Sequence, residues 1–209
     1  MGTLVPPEQA SRLSPADGLL RNAVGMESNA SRIAVIYATE KGSTRDIAEF
    51  IAAELGEQGA EVELADAEHA PELSRFDTVV LGSAIHDMEL LPAAVTFVRT
   101  HREALRNKNV WLFSVGLGPA LGGPIGSRIG RIVPKKIAAL RDSISPRDYQ
   151  AFSGHYEHVG VSLKARILYR LMGGGRYGDL RDWAAIRTWS TSIAQSLGLS
   201  TAQSNTVVS

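Results

Sequence analysis

The sequence predicts an α/β fold, a three-layer sandwich around a five-stranded parallel sheet in the order 2-1-3-4-5. Three observations predict it. Short apolar runs rich in β-branched residues alternate with stretches of helical periodicity. Strands that alternate with helices imply a parallel sheet covered on both faces. Small and polar residues follow the first, third and fourth runs, where a sheet of this order gathers its ligand loops.

The first strand is the run Ile33 to Tyr37, inside RIAVIYATEKGSTRDIA at residues 32–48. A polar loop, Ala38 to Ser43, ends it. A helix follows, with Ile47, Ala48, Ile51, Ala52 and Leu55 on one face. Glu61 to Leu64 is the second strand and Phe76 to Gly82 the third, followed by a loop from Ser83 to Glu89. A helix over Pro92 to Leu105 turns Ala94, Val95, Val98 and Leu105 inward. Asn109 to Val115 is the fourth strand and Tyr149 to Ser153 the fifth. Arg181 to Leu197 closes the domain as a helix with Trp183, Ile186, Ile193 and Leu197 inward. The expected organisation is a flexible extension over 1–30, a domain over 31–198 and a frayed tail over 199–209. The extension has a short helix near Leu19 to Val24, and Met26 is an alternative start.

Composition narrows the chemistry. A chain of 209 residues, 44% hydrophobic, suits one domain with a full core. The absence of cysteine excludes disulfides, iron–sulfur clusters, thiolate metal sites and thiol catalysis. No apolar run approaches the ~20 residues of a membrane span. The N-terminus lacks a basic region followed by an apolar core, so no signal peptide is expected and the expected location is cytoplasmic. The net charge of zero hides an asymmetry: residues 1–115 hold 10 Lys/Arg against 17 Asp/Glu, whereas residues 116–181 hold 11 against 4. A basic second half suits an anionic partner, whether a carboxylated substrate, a phosphate or anionic lipid, or else it is a solvated face.

The segment between the first strand and first helix carries the strongest chemical signal. The first N–H groups of a helix lack internal partners and the helix dipole favours an anion there. Thr39, Ser43 and Thr44 add hydroxyls, Glu40 and Lys41 complete the loop, and Gly42 lets the backbone curl closely around a ligand. The spacing is neither that of a Walker A loop nor that of the three-glycine dinucleotide fingerprint. The other reading is an ordinary turn in which Ser43 caps the helix and Asp46 completes a weak capping box. Two further loops leave the same edge: GSAIHDME after the third strand and SVGLGPALGG after the fourth. Their small residues would let backbone amides reach a flat ring; alternatively the glycines serve only tight turns.

With these motifs in place, the chain resembles the flavodoxin-like superfamily, and within it the menaquinone-dependent protoporphyrinogen IX dehydrogenase group. The resemblance covers about residues 32–197. It rests on YATEKGSTRDIA at 37–48, VVLGSAIH at 79–86, WLFSVGL at 111–117, FSGHYE at 152–157, LMGGG at 171–175 and DLRDWAAIRTW at 179–189. It implies a flavodoxin-like fold with a long insertion around the last strand, and bound FMN. Thr39, Glu40, Lys41, Gly42, Ser43 and Thr44 would hold the phosphate. Ser83, Ala84, Ile85 and His86, with Ser114, Val115, Gly116, Leu117 and Gly118, would flank the isoalloxazine. Relatives often carry an aromatic residue in the loop after the third strand, where this chain has His86. A deazaflavin coenzyme therefore stays open beside FMN.

Such a protein needs no catalytic acid, nucleophile or metal of its own, because the flavin carries the redox chemistry. His155 and Tyr156, and Arg128 and Arg131 in the basic stretch, are candidates for substrate contact. The expected partner is a small redox substrate or a quinone, and nucleic acid is not expected. Residues 162–172, SLKARILYRLM, put Leu163, Ile167, Leu168, Leu171 and Met172 on one side and Lys164, Arg166 and Arg170 towards the other. That stripe either packs on its own domain or meets the inner face of a membrane. A flavodoxin that carries electrons between proteins is the alternative to an oxidoreductase, and the oligomeric state stays open.

Overall fold

Residues 32–38 alternate so regularly that both faces of the first strand are apolar. Ile33 and Val35 point one way, Ala34 and Ile36 the other, and all four are fully buried. A strand buried on both faces belongs at the centre of a parallel sheet. The computed structural model describes residues 31–120, 132–156 and 178–199. The chain divides into units Met1–Ala30 and Ser31–Ser209, the first wholly outside the described residues. Also outside them are Arg128, Arg131, the stripe at 163–172 and residues 200–209.

The elements are β1 (Arg32–Ala38), α1 (Ser43–Glu57), β2 (Glu61–Asp66), β3 (Thr78–His86), β4 (Glu89–Leu90), α2 (Pro92–Thr100), α3 (Arg102–Arg106), β5 (Asn109–Gly116), α4 (Lys135–Ile144), β6 (Asp148–Ser153), β7 (His155–Tyr156), β8 (Gly178–Asp179) and α5 (Trp183–Ser196). Strands β2-β1-β3-β5-β6 form the sheet, every neighbouring pair parallel. This is the expected 2-1-3-4-5 order, with the two-residue β4 added as an antiparallel partner of β3. β7 and β8 form a separate two-stranded ribbon.

The two faces of the sheet hold separate cores. On one, Ile33, Val35, Val80, Phe113, Val115 and Phe152 meet Ile47, Ile51 and Leu55 of α1 and Ile186, Trp189 and Ile193 of α5. On the other, Ala34, Ile36, Val79, Leu81 and Leu112 meet Phe97 and Val98 of α2, Leu105 of α3 and Ile144 of α4. Each fully buried aliphatic side chain contributes about 1.5–3 kcal/mol by leaving water. Phe113, Phe152 and Trp189 pack as a ring cluster with centroids 5.6–6.0 Å apart. Trp189 satisfies its indole N–H on Asp148 Oδ2 at 2.6 Å.

Two expectations are corrected. β3 does not end at Gly82 but runs on to His86, so Ser83 to His86 are strand residues. Gly82 is a packing glycine, since a Cβ there would lie 2.0 Å from Phe113 Cζ. The single helix expected over 92–105 breaks at His101 (φ −104°, ψ 15°), whose ring sits 4.8 Å from that of Phe97. The restart lets Arg102 donate to the Ser143 carbonyl of α4 at 3.3 Å. A further helix, α4, lies between β5 and β6, anchored by Ile137 and Ile144.

Candidate functional site

β1 delivers the chain to the carboxyl edge of the sheet, and the next four residues turn it into α1. Thr39 Oγ1 accepts the Gly42 N–H at 3.0 Å and closes the loop. Gly42 occupies the N-cap position at φ 92°, where a side chain would be strained and where no side chain caps the helix. Ser43 is the first helical residue. The capping-box reading therefore fails: Asp46 donates its N–H to the Gly42 carbonyl at 3.0 Å, while its carboxylate turns to Arg181. The first N–H groups of α1 have no intrahelical acceptor, as at any helix start.

Thr44 sharpens the point. It is fully buried in the first turn, and its Oγ1 has no hydrogen-bond partner. A buried unsatisfied hydroxyl costs about 1–3 kcal/mol, so it asks for an acceptor or donor the protein does not supply. One other buried hydroxyl among the described residues is unpartnered, Thr78 Oγ1, at the amino end of β3. No glycine turn or helix start accompanies that one.

The residues expected around a flat ring are arranged differently. Ser83 is fully buried; its Oγ donates to the Ala84 carbonyl at 2.9 Å and accepts the Leu91 N–H at 3.0 Å. Ser114 is also buried and shares a 2.6 Å hydrogen bond with the Tyr149 hydroxyl. Burial raises the Tyr149 phenol above its ordinary value, with Ser114 and Arg141 pulling the other way. Both serines thus hold the scaffold together. Val115 is buried with them, and Gly116 leaves room for Ile85, whose Cβ would be 3.4 Å from a Cβ at 116. Leu117 accepts the Ala120 N–H at 3.0 Å, closing a single turn over Gly118–Ala120.

Beyond Ile85 the chain makes a two-residue hairpin: His86 pairs with Glu89 across Asp87 (φ 48°) and Met88 (φ 64°). Positive φ at both central residues matches the twist of a tight hairpin. Its tip stands beside the loop after β1, with His86 Nδ1 3.1 Å from Glu40 Oε2. Met88 is 64% exposed, and so is Ile132, at 67%, shortly before α4. Lys136 of α4 pairs with Glu89.

A fourth segment joins the edge. A Cβ at Gly154 would lie 3.2 Å from Ser43 Oγ, so the turn after β6 abuts the start of α1. His155 and Tyr156 follow in the ribbon, opposite Asp179 and Gly178. Arg181 leaves that ribbon with its side chain only 13% exposed. It binds Asp179 through Nε at 2.7 Å and Nη2 at 2.8 Å, and Asp46 through Nη1 at 2.6 Å. These hydrogen bonds, chiefly those from Arg181, hold the Asp179 carboxyl at about 2. Sequence reasoning missed this network, because only the Asp-x-Arg spacing at 179–181 hints at it.

A cleft of about 540 Å³ opens elsewhere, lined by Arg141, Asp142, Ser145, Pro146, Asp148 and Tyr149. It lies towards the amino end of β6, and its arginine is already paired with Asp142 at 2.8 Å. The unpartnered Thr44 hydroxyl and the uncapped helix start are at the other edge, which is the candidate site. Among the described residues no cluster of His, Asp or Glu could hold a metal ion, and no helix is long and apolar enough to cross a membrane.

A parallel sheet in this order, with an uncapped helix start at its switch point, defines an α/β protein whose carboxyl edge has the geometry of an anion site. The family model of the Flavodoxin domain (Flavodoxin_5) matches residues 34–172, and the chain belongs to that family. Protoporphyrinogen IX dehydrogenase [quinone] of Escherichia coli K12 is 31% identical over 85 residues, 40% of this chain and 47% of that protein. The chain thus spans about half the length of the curated relatives it matches. Among solved structures, rubredoxin oxygen:oxidoreductase from Desulfovibrio gigas superposes with a TM-score of 0.50 at 14% identity, covering 80% of this chain and 36% of that one. Oxidised Flavodoxin 1 from Bacillus cereus gives 0.48 at 15% identity, covering 79% and 98%.

Proposed function

We propose that this protein is an FMN-dependent oxidoreductase of the protoporphyrinogen dehydrogenase-like kind. One observation carries the reading: an uncapped helix start with a buried, unpartnered threonine hydroxyl, at the edge where this family's fold gathers its loops. Thr39 to Thr44 would hold the phosphate, through helix N–H groups and the hydroxyls of Ser43 and Thr44. The hairpin at 85–88 and the turn at 116–118 would border the ring. Bound FMN supplies the redox chemistry, exchanging electrons with a substrate. The protein's part is to orient the ring and limit access to it.

The partial likeness to the Escherichia coli enzyme supports a quinone or a carboxylated tetrapyrrole as the second substrate. Lys135 and the basic stretch before it suit carboxylates. Exposed Met88, next to the Glu89 that Lys136 pairs with, and exposed Ile132 favour a peripheral membrane contact, where a quinone would be met. A deazaflavin coenzyme is the second reading, favoured by the hairpin tip His86-Asp87-Met88, which has no Tyr or Trp to stack.

The test is the visible spectrum of the purified chain, with extraction of any chromophore, followed by turnover with protoporphyrinogen and a quinone. FMN together with quinone-dependent porphyrinogen oxidation is expected. A deazaflavin spectrum would move the chain to the second reading. FMN without turnover would leave an electron carrier.

A further inference from the structure

Asp46 presents a conflict. It lies in the first turn of α1, where the positive helix end and free N–H groups draw any nearby carboxylate. A fixed negative charge there would compete with an incoming phosphate. Its carboxylate is instead held away by the Arg181 guanidinium, 2.6 Å from Oδ2.

Arg181 is built to hold it. Asp179 grips the guanidinium at two nitrogens and also accepts the Arg181 N–H at 3.1 Å. Trp183 lies under it, with its ring centroid 4.6 Å away. The backbone is fixed as well: the Leu180 N–H donates to the Gly154 carbonyl at 3.3 Å, and Gly154 abuts Ser43. Two neighbouring charges are occupied elsewhere, Arg45 with Glu49 at 2.7 Å and Glu40 with His86 at 3.1 Å.

We infer that Arg181 is a positioning residue for the anion site: by holding Asp46 it keeps a fixed negative charge off the α1 N-terminus and leaves that end open to a phosphate. The inference rests on the proposed phosphate site. It assigns the late Asp-Leu-Arg-Asp-Trp segment a role in cofactor affinity through Asp46, without contact with the cofactor itself.

The experiment titrates the cofactor-free full chain with FMN and with riboflavin, which lacks the phosphate, following flavin fluorescence. The ratio of the two dissociation constants isolates the phosphate's contribution. Arg181→Met should lower the preference for FMN on the order of tenfold, from the like charge released beside the site. The double variant Arg181→Met/Asp46→Asn should restore it, and Arg181→Lys should keep most of it. Asp46→Asn alone should match or exceed the parent. If Arg181→Met is folded by circular dichroism and keeps the parent's preference, the inference is overturned. A double variant no better than Arg181→Met overturns it too, because the arginine then acts only through the fold. If Arg181→Met does not fold, Asp46→Asn decides, and a fall in its preference for FMN overturns the inference. A parent that binds FMN no better than riboflavin overturns the phosphate site itself.

Discussion

Thr44 and Ser114 are both fully buried at the carboxyl edge of one sheet, the first opening α1 and the second near the end of β5. Ser114 Oγ sits 2.6 Å from the Tyr149 hydroxyl, whereas Thr44 Oγ1 has no partner. Ser83, on β3 between them, is engaged twice. Hydroxyls in these three positions look alike as residue types. Their difference separates scaffold from candidate site: Ser83 and Ser114 are satisfied by the fold itself, and Thr44 is left for the proposed phosphate to complete.

Five variants probe that contrast. The scaffold should respond most strongly at Gly82→Ala, whose Cβ would lie 2.0 Å from Phe113 Cζ. Displacing that ring should cost about 3 kcal/mol, read by chemical denaturation, as overpacked cores do. A variant as stable as the parent would show that β3 and β5 are less tightly interlocked.

Thr44→Val is the sharpest test, because its two effects have opposite signs. Removing an unsatisfied buried hydroxyl should raise the stability of the cofactor-free protein by about 1 kcal/mol. FMN affinity should fall about tenfold or more, the worth of a hydrogen bond to a charged group. A loss of both stability and affinity would mean that Thr44 already has a partner. Ser114→Ala should do the converse. It strands the half-buried Tyr149 hydroxyl and should cost about 1 kcal/mol of stability, with FMN affinity unchanged within about twofold.

A smaller effect is expected in acid. The Asp179 carboxyl is held from 3.8 down to about 2 by its hydrogen bonds to Arg181. Its contribution to stability is therefore present above 3.8 and is lost as the pH falls towards 2. Asp179→Asn should flatten that part of the pH–stability profile, and an unaltered profile would remove Asp179 from the clasp. Smallest of all should be the effect of Lys135→Glu with Lys136→Glu on binding to anionic vesicles. Surface attraction fades with salt as the Debye length shortens to about 8 Å at physiological ionic strength. Binding insensitive to both salt and these reversals would make the basic stretch a solvated face.

The loop after β1 was legible in the sequence because strand, turn and helix start are contiguous there. The partners that distinguish the three hydroxyls were not. Leu91 lies eight positions from Ser83 and Tyr149 thirty-five from Ser114, and no periodicity reports such pairs. Asp46 and Arg181 are 135 positions apart. Gly82 misled for a related reason: a glycine after an apolar run reads as a turn, but this one makes room for a ring on the neighbouring strand. The helix α4 had a signal, Ile137, Leu140 and Ile144 at i, i+3 and i+7, diluted by Lys135 and Lys136 before them and by Arg141, Asp142 and Ser143 between them.

The β7–β8 ribbon has a consequence for how such a chain can diversify. His155 faces Asp179 and Tyr156 faces Gly178, so the polypeptide departs and returns at adjacent points, about 5 Å apart in an antiparallel pair. The stem is a socket. Whatever lies between Tyr156 and Gly178 can lengthen, shrink or be exchanged while the register of β6 and the start of α5 stay put. Doubling the length of such a closed segment costs only about 0.6 kcal/mol. A lineage could thus rewrite residues 157–177 alone, and a protein engineer could graft a foreign segment there next to the carboxyl edge of the sheet.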